Sequence, residues 1–303
     1  MWQQTFFQLL MVPPLPADVQ SLTEDTSVFL ARQIQFADVA TPLTEQPIAT
    51  SYVRSGSGQP LLLIHGFDSS LFEFRRLVPQ LATGAQVWAV DLLGFGFTDR
   101  ASGAAMTPAA IKQHLYSFWQ QHIGQPMVLA GASMGGAAAI DFTLDFPEAV
   151  EKLVLLDSAG FAAGPAMGKL MVPPLDSWAT AFLKNPGVRR RISQQAYCDR
   201  TLVTADAELC AALHLQMPQW KEALIAFTKS GGYNFLSSRI SDIAAPTLIV
   251  WGQQDKILGT KDAQRFQQTI AQSQLVWIPD CGHVPHLEKP EATAKAILSF
   301  LQN

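Results

Sequence analysis

The run VLAGASMGGAAAI, residues 128–140, begins as a buried strand, breaks at Gly131-Ala132-Ser133-Met134-Gly135-Gly136, and resumes as almost pure alanine. A core strand has no use for that serine, and a surface loop would not carry so apolar a flank. The pattern is G-x-S-x-G between a strand and a helix. A turn of this kind holds its serine in strained backbone geometry, with the hydroxyl exposed above the sheet edge. Gly131 and Gly135 leave room for strand and helix to approach, and the small residues that follow let the helix start against its neighbours.

Working outward, the chain alternates strands and helices. IQFADVA and IATSYVR read as two strands joined by a Pro-containing turn. PLLLIHG is an apolar run without polar alternation, as in a sheet covered on both faces. A helix is expected near residues 71–83, then the strand AQVWAVDLLGFG, then a helix opened by Thr107 and Pro108. EKLVLLDSAG, PTLIVWGQQD and SQLVWIPDCGH supply the later strands, and a closing helix runs from about Pro290 to Phe300. This order predicts an α/β fold, a mostly parallel eight-stranded sheet with helices on both faces. Residues 161–241 hold no strong strand, only short helical patterns broken by Pro and Gly. They are read as a helical cap inserted into a core of residues 46–160 and 242–303. Residues 1–45 form an N-terminal extension with a short helix, for which Ser21 and Glu24 have capping-box spacing.

A serine hydroxyl needs a base to take its proton, and the base needs a carboxylate to orient it. Of six histidines, His283 follows the last strand and lies on a loop at the same sheet edge as Ser133. His286 reads as a supporting or helix-start residue. His114, His122 and His214 read as partly exposed structural histidines. For the acid, Asp255 ends LIVWGQQD just past a strand and is preferred. Asp157, ending LVLLD, is the alternative acid, expected otherwise to orient a loop. Asp91 reads as structural. Developing negative charge needs two N–H donors. One is expected from Met134, after the serine at the helix N-terminus. The other is expected from Phe67, in the loop that begins at His65 and Gly66.

Composition narrows the setting. The 303 residues carry a net charge of −4 with no long run of one sign, which excludes a basic nucleic-acid footprint. Arg189-Arg190-Arg191 reads as a solvated helix face rather than an anion contact. Three cysteines without C-x-x-C spacing form neither a disulfide framework nor a zinc site. The N-terminus lacks the features of a signal peptide and is too interrupted to span a bilayer, so a cytoplasmic location is expected. Residues 1–16 are apolar. They either pack on the body of the protein or make a peripheral membrane or partner contact.

Together these motifs resemble the α/β-hydrolase superfamily in its capped branch, over roughly residues 45–301. The order Ser133, Asp255, His283 matches that family's nucleophile, acid and histidine order. The resemblance implies attack by Ser133 on an acyl carbonyl, proton transfer through His283, orientation by Asp255, and an oxyanion held by Phe67 and Met134. It implies small-molecule acyl substrates and water as partners, and no metal or organic cofactor. The serine departs from related dehalogenases and epoxide hydrolases, which carry aspartate there. The loop HGFDSSLFEF lacks the Gly-Pro-Gly often seen in hydrolases that cleave carbon–carbon bonds of aromatic ring-fission products. Aromatic residues at 178, 182, 197, 220, 227, 233 and 235 are expected to be mostly core, with some at the mouth of an apolar pocket. The resulting expectation is hydrolysis of a moderately hydrophobic carboxylic ester. A carbon–carbon bond hydrolase, a thioesterase and a receptor-like protein retaining the triad are the alternatives.

Overall fold

The computed structural model describes residues 15–100, 103–161 and 172–302. Most of the apolar N-terminal stretch, and with it most of the proposed contact surface of residues 1–16, lies outside the described residues.

The eight expected strands all form: β1 Gln35–Val39, β2 Ile48–Ser55, β3 Pro60–Ile64, β4 Gln86–Val90, β5 Met127–Ala132, β6 Val150–Leu156, β7 Thr247–Gly252 and β8 Ser273–Ile278. They make one sheet in the order β1-β2-β4-β3-β5-β6-β7-β8. β2 runs antiparallel to β1 and β4, and every other pairing is parallel. The absence of polar alternation in the central strands has a direct cause. Leu62, Ile64 and Leu129 face one hydrophobic layer, while Leu61, Leu63 and Val128 face the other. Successive side chains point to opposite faces, so a sheet covered on both sides must be apolar at every position.

The chain leaves β3 for β4 on one side and returns past it to β5 on the other. The reversal opens a crevice at the carboxyl ends of β3 and β5, where ligands sit in open α/β sheets. The His65-Gly66-Phe67 loop follows β3, and Ser133 follows β5. Between β6 and β7 the described residues form α-helices Leu175–Lys184, Pro186–Ala196, Ala205–Cys210 and Trp220–Lys229, and no strand.

Three local expectations are corrected. The helix near 71–83 is a 3₁₀ turn, Leu71–Phe74, and a short α-helix, Val78–Leu81. Pro79 removes an amide that a continuous helix would use, and the Leu71 N–H, which no helix starting there could satisfy, donates to Asp91 at 2.6 Å. Ser21 does not cap the helix Asp25–Gln33, which starts after Glu24 without a side-chain cap from its own chain segment. Asp206, 183 residues beyond Thr23, accepts from the N–H groups of Thr23 and Glu24 at 2.5 and 3.0 Å and from the Ser27 hydroxyl at 2.6 Å. Finally, His114 and His214 are buried, not partly exposed. Thr107, by contrast, caps helix Pro108–Phe118 as expected, accepting from the Ala110 N–H. The closing helix spans Pro290–Leu301.

Candidate active site

Ser133 occupies the turn between β5 and the helix Met134–Asp145, with φ +53° and ψ −119°. This left-handed conformation is costly for a residue with a Cβ and persists only where the surroundings enforce it. The enforcement is visible. A Cβ on Gly131 would lie 2.2 Å from the Gly135 carbonyl oxygen, and one on Gly135 would lie 2.2 Å from that of Ile64. The Ser133 N–H donates to the Leu156 carbonyl at 3.0 Å, tying the turn to β6.

His283 Nε2 lies 3.0 Å from Ser133 Oγ, and His283 Nδ1 lies 2.9 Å from Asp255 Oδ2. The other Asp255 oxygen accepts from the N–H groups of Ile257 and Leu258 at 2.7 and 3.1 Å. Burial raises the Asp255 pKa, but the bond and charge of His283 and these two amides outweigh it, leaving the carboxyl below its ordinary value. An ionised Asp255 fixes the proton on His283 Nδ1 and leaves Nε2 free to accept from the serine. The His283 main chain is held as well, its N–H donating to the Ala196 carbonyl at 2.7 Å.

Asp157 behaves differently. It is fully buried, Oδ1 accepts from the Gly252 N–H at 3.0 Å, and Oδ2 has no partner among the described residues. Burial, reinforced by the nearby Asp255 charge, pushes its pKa well above the usual carboxylate range. Burial thus favours the neutral form of Asp157, which holds the end of β7 beside Asp255. Ligand atoms of Asp157, Asp255 and His283 converge within 4.8 Å, as in a metal site. However, both His283 ring nitrogens are already engaged, with Ser133 and Asp255.

The loop after β3 is pinned from every side. His65 Nδ1 lies 2.8 Å from the Gly66 carbonyl oxygen, and the Leu92 N–H donates to His65 Nε2 at 3.2 Å, which puts the ring proton on Nδ1. The Gly66 N–H donates to Glu73 Oε2 at 2.8 Å, and Glu73 Oε1 lies 3.1 Å from His286 Nε2. Burial works against the Glu73 charge, but the bond and charge of His286, with His65 and the Gly66 amide, hold its pKa at about 2. Among the described residues, the N–H groups of Phe67 and Met134 have no hydrogen-bond acceptor. Asp91 is structural, accepting from the Ser51 hydroxyl and the Phe97 N–H.

Two site residues escaped the sequence reading. Glu73 is one; a single acid amid buried Leu71, Phe72 and Phe74 was its signal. Asp68 is the other. It accepts from Arg189 at 2.7 Å and from the Trp220 indole at 2.8 Å, and it lies 3.2 Å from His214 Nε2. Arg189 therefore does not belong to a solvated face. Burial opposes the Asp68 charge, but His214, Arg189 and Trp220 lower its pKa to about 2. These bonds fasten the loop bearing Phe67 to the helices between β6 and β7.

A cavity of about 300 Å³ opens over Ser133 and His283, with Phe67, Phe72, Tyr197 and Leu287 among its walls. Of the aromatic residues expected around it, Tyr197 lines the cavity. Trp220, Phe227 and Tyr233 are buried, and Trp178, Phe182 and Phe235 are exposed on the outside.

Residues 61–296 match the model of the alpha/beta hydrolase family. The chain is 32% identical to the alpha/beta hydrolase domain-containing protein VTE7 of Arabidopsis thaliana, over 94% of this chain and 89% of that protein. It is 30% identical to the 2-hydroxy-6-oxo-6-(2'-aminophenyl)hexa-2,4-dienoic acid hydrolase of Metapseudomonas resinovorans, over 84% and 88%. A solved thermophilic esterase of Thermogutta terrifontis superposes with a TM-score of 0.75 at 26% identity, covering 88% of this chain and 98% of that one. Fold, crevice and relatives agree, and the chain belongs to the alpha/beta hydrolase family of enzymes.

Proposed function

We propose that the protein is a serine hydrolase of carboxylic esters of moderate size. The observation that carries this reading is the hydrogen-bonded chain from Ser133 through His283 to Asp255, at 3.0 and 2.9 Å, on the floor of a cavity of about 300 Å³.

In this reading Ser133 Oγ attacks the carbonyl carbon as its proton passes to His283 Nε2. Asp255 stabilises the imidazolium that forms. The carbonyl oxygen gains negative charge and is met by the Phe67 and Met134 N–H groups, with the N-terminus of the helix Met134–Asp145 behind them. Among the described residues the two amides have no acceptor, so they can turn to the oxyanion without breaking a bond. His283 returns the proton to the departing alkoxide, which leaves as the alcohol. Water then attacks the acyl-enzyme, giving its proton to His283, and collapse frees the acid and restores Ser133. The helices between β6 and β7 act as the cap, with Tyr197 at the wall where the acyl or alcohol group lies.

Hydrolysis of a chain-length series of p-nitrophenyl esters tests the reading. The wild type is expected to show a preferred chain length, and Ser133→Ala to abolish turnover while keeping the circular dichroism spectrum. No serine-dependent ester hydrolysis would overturn it. Cleavage of a 2-hydroxy-6-oxo-dienoic acid instead would assign the carbon–carbon activity that the name of the Metapseudomonas relative states.

A further inference from the structure

The helix Leu175–Lys184 packs Leu183 against the core but turns an apolar stripe outward. Asp176 and Thr180 are buried, while Trp178 and Phe182 are 66% and 62% exposed. Leu175 is exposed as well, so positions 175, 178 and 182 form a single apolar stripe at helical spacing. A surface helix ordinarily turns such a stripe to the core. Here the buried side is satisfied locally: the Thr180 hydroxyl donates to the Asp176 carbonyl, and the Ser177 N–H to the Asp176 carboxylate. Ile192, on the following helix, is exposed and also lines the wall of the cavity over Ser133.

The electrostatics point to one class of partner. Residues 161–241 hold nine Lys or Arg against five Asp or Glu, in a chain whose net charge is −4. Lys184, ending the stripe helix, and Arg191, on the next helix, are exposed. Among the described residues neither has an ion-pair partner. Interfacial helices combine aromatic and aliphatic groups on one side with Lys and Arg beside them. We propose that this surface docks on an anionic lipid bilayer, bringing the cavity mouth against the membrane. A second copy of the chain fits less well. A symmetric dimer through this face would set two surfaces of the same positive charge against each other.

Flotation with lipid vesicles tests the proposal, and because it reads binding it is independent of the esterase reading. The wild type is expected to float with phosphatidylglycerol–phosphatidylcholine vesicles, less with phosphatidylcholine alone, and less at high salt. Trp178→Ser/Phe182→Ser is expected to bind about tenfold more weakly or worse, from the loss of two aromatic anchors. Arg191→Glu is expected to weaken binding to anionic vesicles only. Neither Trp178 nor Phe182 lines the cavity, so the double variant should keep the wild-type spectrum and hydrolysis of a short soluble ester. Three results would overturn the proposal: no flotation of the wild type, equal flotation of the double variant, or a wild-type dimer that the double variant converts to monomers.

Discussion

Two buried carboxyls within a few ångströms of one histidine raise the question of which does the work. Asp255 accepts two backbone amides and His283, whereas Asp157 has one amide and a raised pKa. Asp255→Asn is therefore expected to lower kcat by about 10⁴-fold, as loss of the orienting charge does in other triads. Asp157→Asn keeps a side-chain oxygen that can accept from Gly252, and should cost less than about tenfold. Single-turnover kinetics of the two variants decides, and the reverse order would make Asp157 the acid. Glu73 acts at the same scale but one step removed, as a positioning residue that holds Gly66. Glu73→Gln is expected to lower kcat by about tenfold with KM little changed, because a looser loop weakens oxyanion stabilisation more than substrate binding. A rise in KM at constant kcat would instead make Glu73 a substrate contact.

Whole elements here lean on partners far away in the chain. The segment leading into the helix Asp25–Gln33 is held by Asp206, which accepts from the N–H groups of Thr23 and Glu24 and from the Ser27 hydroxyl, and Glu24 binds Arg76 at 2.5 and 2.9 Å. Asp206→Ala would leave two backbone N–H groups and the Ser27 hydroxyl without this acceptor. The expected cost is about 1–3 kcal/mol of stability, read from the urea midpoint. An unchanged midpoint would mean that water replaces the carboxylate fully. The elbow leans less on distant partners: β5, the turn and its helix are contiguous and Gly131 packs on Gly135 within the segment, while Gly135 approaches β3 and the Ser133 and Gly136 backbone packs against the end of β6.

Across the molecule, buried ionisable groups tie stability to pH. Burial depresses the His114 pKa from 6.5 to about 4. The unfolded chain takes up a proton there below pH 6.5 and the folded protein does not until about pH 4. Stability is thus complete above 6.5 and falls as the pH drops, by about 3 kcal/mol in all from this one group. In His114→Gln the urea midpoint should vary less between pH 7 and 4, and an unchanged slope would place the effect elsewhere. Asp68 contributes in a lower window. With a folded pKa of about 2 against 3.8, its contribution is present above 3.8 and is lost as the pH falls toward 2.

The sequence by itself determined the sheet and which residues gather at its edge. Eight strands were legible because a sheet covered on both faces leaves unbroken apolar runs, and the turn at Ser133 because steric contact demands small residues at set spacing. The histidine and acid were legible from their place just past strand ends, since parallel strands bring those ends to one rim. Only the tertiary structure decided the rest. Arg189 read as solvated because its partner, Asp68, lies 121 residues away. The tie of Asp206 to the start of the first α-helix was hidden for the same reason, and so was the pairing of Glu73 with His286 across 213 residues. The outward turn of Trp178 and Phe182 could not be read either: helical periodicity shows that a stripe exists, but packing alone decides which way it faces.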